Sequence, residues 1–498
     1  MPIGSNDKLA CTGVPGLDEI LNGGLPRNHL YLVDGDPGTG KTTLGLQFLL
    51  DGVKHGEKGL YVTLSETLEE LRGVATSHGW SLDDIGVFEL PSDAVSSEAY
   101  TIFHPAEIEL QRTVESVIKS VEELKPTRVV LDSLSEMRLL ARDALKFRRQ
   151  ILALKQYFAG RNCTVIMLDD KTSPEGDLQL HSLAHGVIIL EHISLDYGAE
   201  RRRLQVTKLR GGRFRGGYHD FRILTGGMAV YPRILSDKIR KNGHSDVVTS
   251  DSHALDELLG GGATRGTSIL ITGAAGTGKS ILASQYAKAA VERGEKVHYY
   301  MFDERIATFI TRNTALGIDV SAAVEDGRIK LQQIEPTEVS PGEFSNMVMQ
   351  AVEKENAKII VLDSLNGYMQ SMPEERLLPI QVHELLTYLA NNDVTIIMTL
   401  VQRGVFGSPV DEAAEVSYLA DTVILMRYFE FEGSVRQAIS VVKKRSGQHE
   451  RTIREAKVGK GGLAIGDPLR EFHGVLTGVP TFTGKTAALF EQKPAADS

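Results

Sequence analysis

Two glycine-rich stretches carry the residue types that cradle a polyphosphate: Gly35-Asp36-Pro37-Gly38-Thr39-Gly40-Lys41-Thr42 and Gly273-Ala274-Ala275-Gly276-Thr277-Gly278-Lys279-Ser280. Both fit the spacing G-x-x-x-x-G-K-[ST]. In that pattern Gly35, Gly38 and Gly40, or Gly273, Gly276 and Gly278, let backbone N–H groups wrap the phosphates, with Thr39 and Thr277 inside the loop. Lys41 and Lys279 reach the terminal phosphates, and the hydroxyls of Thr42 and Ser280 hold magnesium. Thr43 and Ile281 follow and complete each nucleotide-binding set. Each loop comes after an apolar run (30–33 and 269–271) and leads into a helix-like segment (44–50 and 281–290), which is the context the motif requires. The chemistry expected is binding of Mg-ATP and transfer of its terminal phosphoryl group, at two sites.

Carboxylates stand where that chemistry needs them. Asp132 and Asp363 each end an apolar strand and precede a serine, the Walker-B arrangement in which a carboxylate supports magnesium; capping of the following helix is the alternative. The strand after each loop's helix ends in Thr63-Leu64-Ser65-Glu66 or Met301-Phe302-Asp303-Glu304. Glu66 and Glu304 are placed to orient or activate the attacking hydroxyl, so both are candidate bases; a plain exposed strand end is the alternative. Two basic clusters come later. Arg201-Arg202-Arg203 with Lys208, Arg210, Arg213 and Arg215 is dense, and Lys443-Lys444-Arg445 is its partial echo. Alternation along a strand sets Lys208 with Arg210, and Lys443 with Arg445, on one face. Such a pair can reach a neighbouring subunit's phosphate in trans. A charged edge strand and a nucleic-acid stripe are the competing readings, the last weakened by sparse aromatic residues (Phe214, Tyr218).

The elements that must position these residues occur twice. Lys41 and Lys279 are 238 residues apart (279 − 41), and Leu17-Asp18-Glu19-Ile20-Leu21 answers Leu255-Asp256-Glu257-Leu258-Leu259 at the same offset. Asp132-Ser133-Leu134 answers Asp363-Ser364-Leu365. A period this long signals two homologous domains rather than a solenoid. The boundary is expected near 233–248, giving domains 1–235 and 236–485 and a flexible tail at 486–498. Strand signals at 30–34, 59–64, 128–132, 164–168 and 187–190 alternate with helical patterns at 42–54, 106–123 and 145–158. The second half repeats them at 268–272, 296–302, 358–362, 394–399 and 422–427. Unalternating apolar strands between amphipathic helices predict an α/β fold with mostly parallel, helix-covered sheets, twice over. Residues 203–208 and 437–443 read as an antiparallel extension.

The 498 residues have 42% hydrophobic and 24% charged content, ordinary for a globular protein. Two cysteines, Cys11 and Cys163, have no metal-ligand spacing and suit a reducing cytoplasm. No apolar run approaches a membrane span, and the first residues lack a signal-peptide pattern. A net charge of −10 argues against a dedicated nucleic-acid binder.

Together these motifs resemble the KaiC family, double-domain RecA-like ATPases that include the cyanobacterial circadian clock protein. The sharper markers are 16–26, Arg201-Arg202-Arg203 with Lys208-Leu209-Arg210-Gly211, Ala420-Asp421-Thr422-Val423-Ile424-Leu425, Arg454-Glu455 and Thr477-Gly478-Val479-Pro480. The resemblance implies two tandem RecA-like P-loop domains, a homohexamer of two stacked rings, and ATP between subunits. It implies slow hydrolysis in the first ring, and autokinase and reverse activities in the second. Lys208 and Arg210, or Lys443 and Arg445, would then touch the neighbour's nucleotide. The family's paired glutamates are here Ser65-Glu66 and Asp303-Glu304. Its Ser-Thr phosphoacceptor pair is here Ser417-Tyr418, with Ser417 the better acceptor, and His181-Ser182 stands at the matching place in the first half. The C-terminal tail is available to a regulatory protein. Three readings follow: an ATPase and autokinase, a nucleotide-dependent scaffold without autokinase, and a RecA-type DNA-handling ATPase.

Overall fold

The computed structural model describes residues 8–89, 106–141, 143–171, 178–194, 198–234, 246–370, 378–402, 417–475 and 481–482. Residues 235–245 of the expected boundary, residues 477–480 and the tail 486–498 lie outside them. The chain divides into two compact units between Arg233 and Ile234.

The first unit is built on β1 (Leu30–Gly35), α1 (Lys41–Lys54), β2 (Gly59–Thr63), α2 (Leu68–Ser77), β3 (Ile85–Glu89), α3 (Ala106–Leu124), β4 (Arg128–Asp132), α4 (Leu134–Ala141), α5 (Ala144–Phe158), β5 (Thr164–Asp170), α6 (Leu178–Leu183), β6 (Gly186–Ile193), β7 (Arg201–Leu209), β8 (Tyr218–Leu224) and β9 (Gly227–Tyr231). The nine strands of its large sheet run in the order β3-β2-β4-β5-β1-β6-β7-β8-β9. The six from β3 to β6 are parallel and the last three antiparallel.

The second unit repeats the plan with β10 (Ser268–Gly273), α7 (Lys279–Glu292), β11 (Lys296–Met301), α8 (Ile306–Ala315), β12 (Ile329–Gln333), α9 (Pro341–Glu353), β13 (Ala357–Asp363), α10 (Leu365–Gln370), α11 (Leu378–Asn391), β14 (Thr395–Val401), β15 (Thr422–Phe431), β16 (Ser434–Lys444), β17 (Arg454–Gly459) and β18 (Gly462–Pro468). Its order is β12-β11-β13-β14-β10-β15-β16-β17-β18, the same topology strand for strand.

Parallel strands with helices on both faces must be apolar on both sides, and β1 and β4 are buried at every residue. Each sheet accordingly has a separate core on each face. One core of the first unit joins Leu44, Phe48, Tyr61, Val130 and Ile166, and the other joins Val114, Leu131, Ile151 and Val165. Helix α3 turns Leu110, Val114, Val117 and Val121 inward at helical spacing. Burying one such side chain contributes about 1.5–3 kcal/mol. Helices α2 and α5 start on side-chain caps: Thr67 forms a reciprocal box with Glu70, and Asp143 accepts from the N–H groups of Leu145 and Lys146. Strand β7 lies between β6 and β8 and β16 between β15 and β17, but the registers with β8 and β17 end at Gln205 and Ile439, short of Lys208 and Lys443.

Candidate active sites

Both phosphate loops link a strand end to a helix start. Gly40 and Gly278, at φ 100° and 99°, immediately precede α1 and α7 in a left-handed conformation that a side chain disfavours. The helix N-termini they open carry unpaired N–H groups and a positive dipole end, which suit an anion. Thr39 and Thr277 brace the loops by donating to the carbonyls of Asp36 (2.8 Å) and Ala274 (2.9 Å). The ammonium of Lys41 donates to the carbonyls of Gly35 and Asp36 at 2.8 and 2.9 Å. That of Lys279 donates to Gly273 and Ala274 at 2.9 and 2.7 Å.

Strand order brings the Walker-B aspartates to the loops across one intervening strand. Asp132 ends β4, and its Oδ2 accepts from Thr42 Oγ1 at 3.0 Å. Two protein oxygens plus substrate phosphates are what Mg2+ takes, so this pair fits the ion. In the second unit Ser280 and Asp363 line one cleft of about 390 Å³, together with Gly276, Gly278, Lys279, Ile281, Asp303 and Glu304. The peptide bonds after both aspartates are cis. Thr43 is buried in the first turn of α1.

Sequence reasoning missed two phenols. Tyr61 on β2 donates to Asp132 Oδ2, and Tyr299 on β11 donates to Asp363 Oδ2 at 2.9 Å. Both tyrosines are fully buried and sit five residues before the candidate base. That repeated position, at the duplication's own offset, was the available signal. Thr399 on β14 also donates to Asp363, through Oδ1. Burial raises the Asp132 carboxyl above its ordinary range, against the hydrogen bonds from Tyr61 and Thr42.

The base candidates differ in their surroundings. Glu66 is fixed through its backbone, with its N–H donating to Thr63 Oγ1 at 2.9 Å. Its Oε2 is buried without a hydrogen-bond partner among the described residues. Burial raises its pKa, and Asp132, Glu70 and Asp170 add to the rise. Glu304 is also raised by burial, but Arg312 of α8 opposes the shift from 3.0 Å away. Asp303 accepts from Ser364 at 2.5 Å, which ties the first carboxylate to the residue after the Walker-B aspartate.

Further charged groups surround the first site alone. Asp170, at the end of β5, pairs with Lys41 at 2.8 Å and accepts from Ser135 at 3.0 Å. Val401 stands at its place in the second unit. His181 reaches Asp34 at 3.2 Å, and Arg138 pairs with Asp169. Strand β5 runs two residues beyond its expected end, and Asp169 and Asp170 are those two.

The basic pairs do not join their own loops. Lys208 donates to the carbonyls of His181 (2.6 Å) and Ser182 (3.2 Å), and Arg210 to that of Ser182 (3.1 Å). Lys443 donates to Ser417, Tyr418 and Ala420 at 3.0, 3.2 and 2.7 Å, and Arg445 to Tyr418 at 2.6 Å. Arg445 also pairs with Asp421, which accepts from Ser268 at the start of β10. Five strand residues, about 16 Å, separate that point from Gly273. The same basic pair therefore anchors the same turn in both units, and in the second unit that turn carries Ser417 and Tyr418. Tyr418 is 55% exposed.

Known proteins with this organisation are found over almost the whole chain. The family model for the KaiC ATPase matches residues 10–234 and again residues 249–470. The circadian clock protein KaiC3 of Synechocystis sp. (strain ATCC 27184 / PCC 6803 / Kazusa) is 26% identical over 498 residues, covering 97% of either chain. The circadian clock oscillator protein KaiC of Parathermosynechococcus lividus is 27% identical, covering 94% of this chain and 87% of its own. That of Picosynechococcus sp. (strain ATCC 27264 / PCC 7002 / PR-6) is likewise 27% identical, covering 94% and 92%. Among the described residues, no helix is long and apolar enough to cross a membrane. With two nucleotide cradles of one design and a duplicated family match spanning both, the chain belongs to the KaiC family of ATPases.

Proposed function

We propose that this chain is a cytoplasmic, homohexameric, magnesium-dependent ATPase whose second domain is also a serine/threonine autokinase, and that its phosphorylation state is a signal. The observation that carries the reading is the duplication of one complete constellation. Each half has a loop lysine, a hydroxyl beside it, a strand-end aspartate and a strand-end glutamate. The domains are 1–235 and 236–485, with 486–498 as a tail open to a regulatory protein.

In the first domain Lys41 and the N–H groups of the loop bind the ATP phosphates, and Thr42 with Asp132 would hold Mg2+. The ion, when bound, neutralises charge on the phosphoryl oxygens. Glu66 orients the attacking water and accepts its proton as the oxygen–phosphorus bond forms. The bond from phosphorus to the bridging oxygen breaks, and ADP leaves. In the second domain Lys279, Ser280 and Asp363 take the same roles. Glu304, with Asp303 beside it, accepts the proton of a neighbouring subunit's Ser417, whose oxygen then carries the phosphate as the bond to ADP breaks; Tyr418 is the second acceptor. Lys208 and Arg210, and Lys443 and Arg445, act on a neighbouring subunit's nucleotide. Arg445 is held through Asp421 at the start of β10, about 16 Å of strand from its own loop, which supports a role in trans. The acidic charge leaves a DNA-handling role without support.

The test is intact-protein mass spectrometry with peptide mapping, after incubation with Mg-ATP or Mg-ADP. Phosphate on Ser417 or Tyr418 that appears with ATP and fades with ADP is the expected result. Steady ADP production without any phosphoprotein would sink the autokinase and leave a nucleotide-dependent scaffold.

A further inference from the structure

Helix α8 carries a guanidinium into the second cleft from a position that is apolar in the first unit. Arg312 lines the same cleft as Lys279, Ser280, Asp303, Glu304 and Asp363. Its Nη1 lies 3.0 Å from Glu304 Oε2, an ion pair rather than an aligned hydrogen bond. Its Nε and Nη2 are buried and have no hydrogen-bond acceptor among the described residues. Leaving donors of a charged group buried and unmatched is costly, so such groups mark where an acceptor belongs. The Nε and Nη2 hydrogens also form one edge of the guanidinium fork, the edge that meets a carboxylate or a phosphate with two parallel bonds.

The first domain shows what the second has added. Helices α2 and α8 are both ten residues long and start at Leu68 and Ile306, the offset of the two phosphate loops. At that offset Arg312 corresponds to Val74, a partly buried side chain packed on the first unit's core. No sequence motif distinguishes the two positions.

We propose that Arg312 is a phosphate-binding residue of the second site, supplied in cis, whose Nε–Nη2 edge, covered in the free protein, opens onto the terminal phosphate of ATP while Nη1 holds Glu304. The proposal rests on the reading of this cleft as a nucleotide site and adds to it a sensor of the terminal phosphate. ATP but not ADP fills the free edge, and the carboxylate that takes the hydroxyl proton is tethered to the group being transferred. The first site, with Val74, reads its phosphate without such a coupling.

The test compares ATP and ADP affinities at the second site, using fluorescent ATP and ADP derivatives with the full chain carrying Lys41→Ala. Arg312→Val, the first domain's residue, should weaken ATP by roughly tenfold to a hundredfold and leave ADP nearly unchanged. Arg312→Lys keeps the charge and the stem but loses the fork, so a smaller loss of the same kind is expected, and it serves if the valine variant does not fold. Equal weakening of ATP and ADP would mean that Arg312 only shapes the cleft, and an unchanged ATP-to-ADP ratio in both variants would overturn the proposal. If the Lys41→Ala chain with Arg312 intact bound neither nucleotide, the nucleotide reading of this cleft would be the one to fall, and the proposal with it.

Discussion

In the first domain Lys41 pairs with Asp170, and the charges bearing on Glu66 are the carboxylates of Asp132, Glu70 and Asp170. In the second, the hydrogen bonds of the Lys279 ammonium among the described residues go to backbone carbonyls of its loop, and Glu304 pairs with Arg312. The frames beneath these sites are alike, with one strand order, one pair of left-handed glycines and one buried tyrosine on each Walker-B aspartate. The differences lie one shell outside the motif: Asp170 against Val401, Val74 against Arg312, Ser65 against Asp303. Duplication preserved the strand, loop and helix that form each cradle and changed the charges around its lysine and its strand-end glutamate. A site that leaves its base without a cation suits transfer to water. A site that tethers its base suits a hydroxyl that must be aligned first.

The largest effect that tests this division comes from the loop lysines. Lys279→Ala should remove the phosphoprotein while most ADP production persists, because each domain has its own loop. Lys41→Ala should do the reverse, lowering ADP production and sparing phosphorylation. Losing several charge-assisted bonds predicts a drop of at least about a hundredfold at the altered site. Phosphate counted by mass spectrometry and ADP counted by chromatography decide it. If Lys41→Ala removed the phosphoprotein and Lys279→Ala did not, the two domains' roles would be exchanged.

A smaller effect separates the shared tyrosines. Tyr61→Phe removes a donor from the oxygen of Asp132 that also accepts from Thr42. Tyr299→Phe removes one from Asp363, but Thr399 still holds the other oxygen. The magnesium concentration for half-maximal activity should rise about tenfold for Tyr61→Phe, from ~1.4 kcal/mol of lost positioning. For Tyr299→Phe the rise should be smaller, read on phosphorylation. Equal shifts at both sites would show that Thr399 does not substitute. Lower melting temperature with unmoved magnesium dependence would reduce the phenols to packing.

Much of the frame was legible in the residues. Glycine and lysine spacing located both loops, and apolar runs located β1, β2, β4, β5 and β6 with their counterparts, because buried parallel strands need such runs. Strands β3 and β12 were missed: half-buried edges such as Ile85–Glu89 and Ile329–Gln333 lack a continuous apolar signature. So were β8, β9, β17 and β18, although β8 and β9 close as a hairpin at Thr225-Gly226 and β17 and β18 at Lys460-Gly461, turn signals that were legible. Tyr61 and Tyr299 read as ordinary strand residues until Asp132 and Asp363 stand beside them. Arg312 reads as one surface charge on an amphipathic helix, since its partner Glu304 is eight residues away and only the fold of the intervening turn brings them together. The basic pairs were found, but their anchoring of the turn at Ser417–Tyr418 depends on carbonyls, which no side-chain pattern records.

The smallest predicted effect concerns pH. Burial lowers the Lys279 ammonium to about 8, with Asp363 opposing the shift. A lysine binds phosphate only when charged, so affinity is full below this value and is lost as pH rises through it. In the Lys41→Ala chain, ATP should bind the second site about fourfold more weakly at pH 8.5 than at pH 7, and roughly tenfold per unit beyond. Lys41 has Asp170 at 2.8 Å, and Val401 offers Lys279 no such partner. Val401→Asp should therefore move the alkaline limb upward, because a carboxylate beside an ammonium favours its charged form. It should also weaken ATP binding at pH 7, since that carboxylate competes with the phosphate. A limb that moves while neutral-pH affinity falls would identify residue 401 as one origin of the difference between the two sites. A limb that stays fixed would put the alkaline loss on some group other than Lys279.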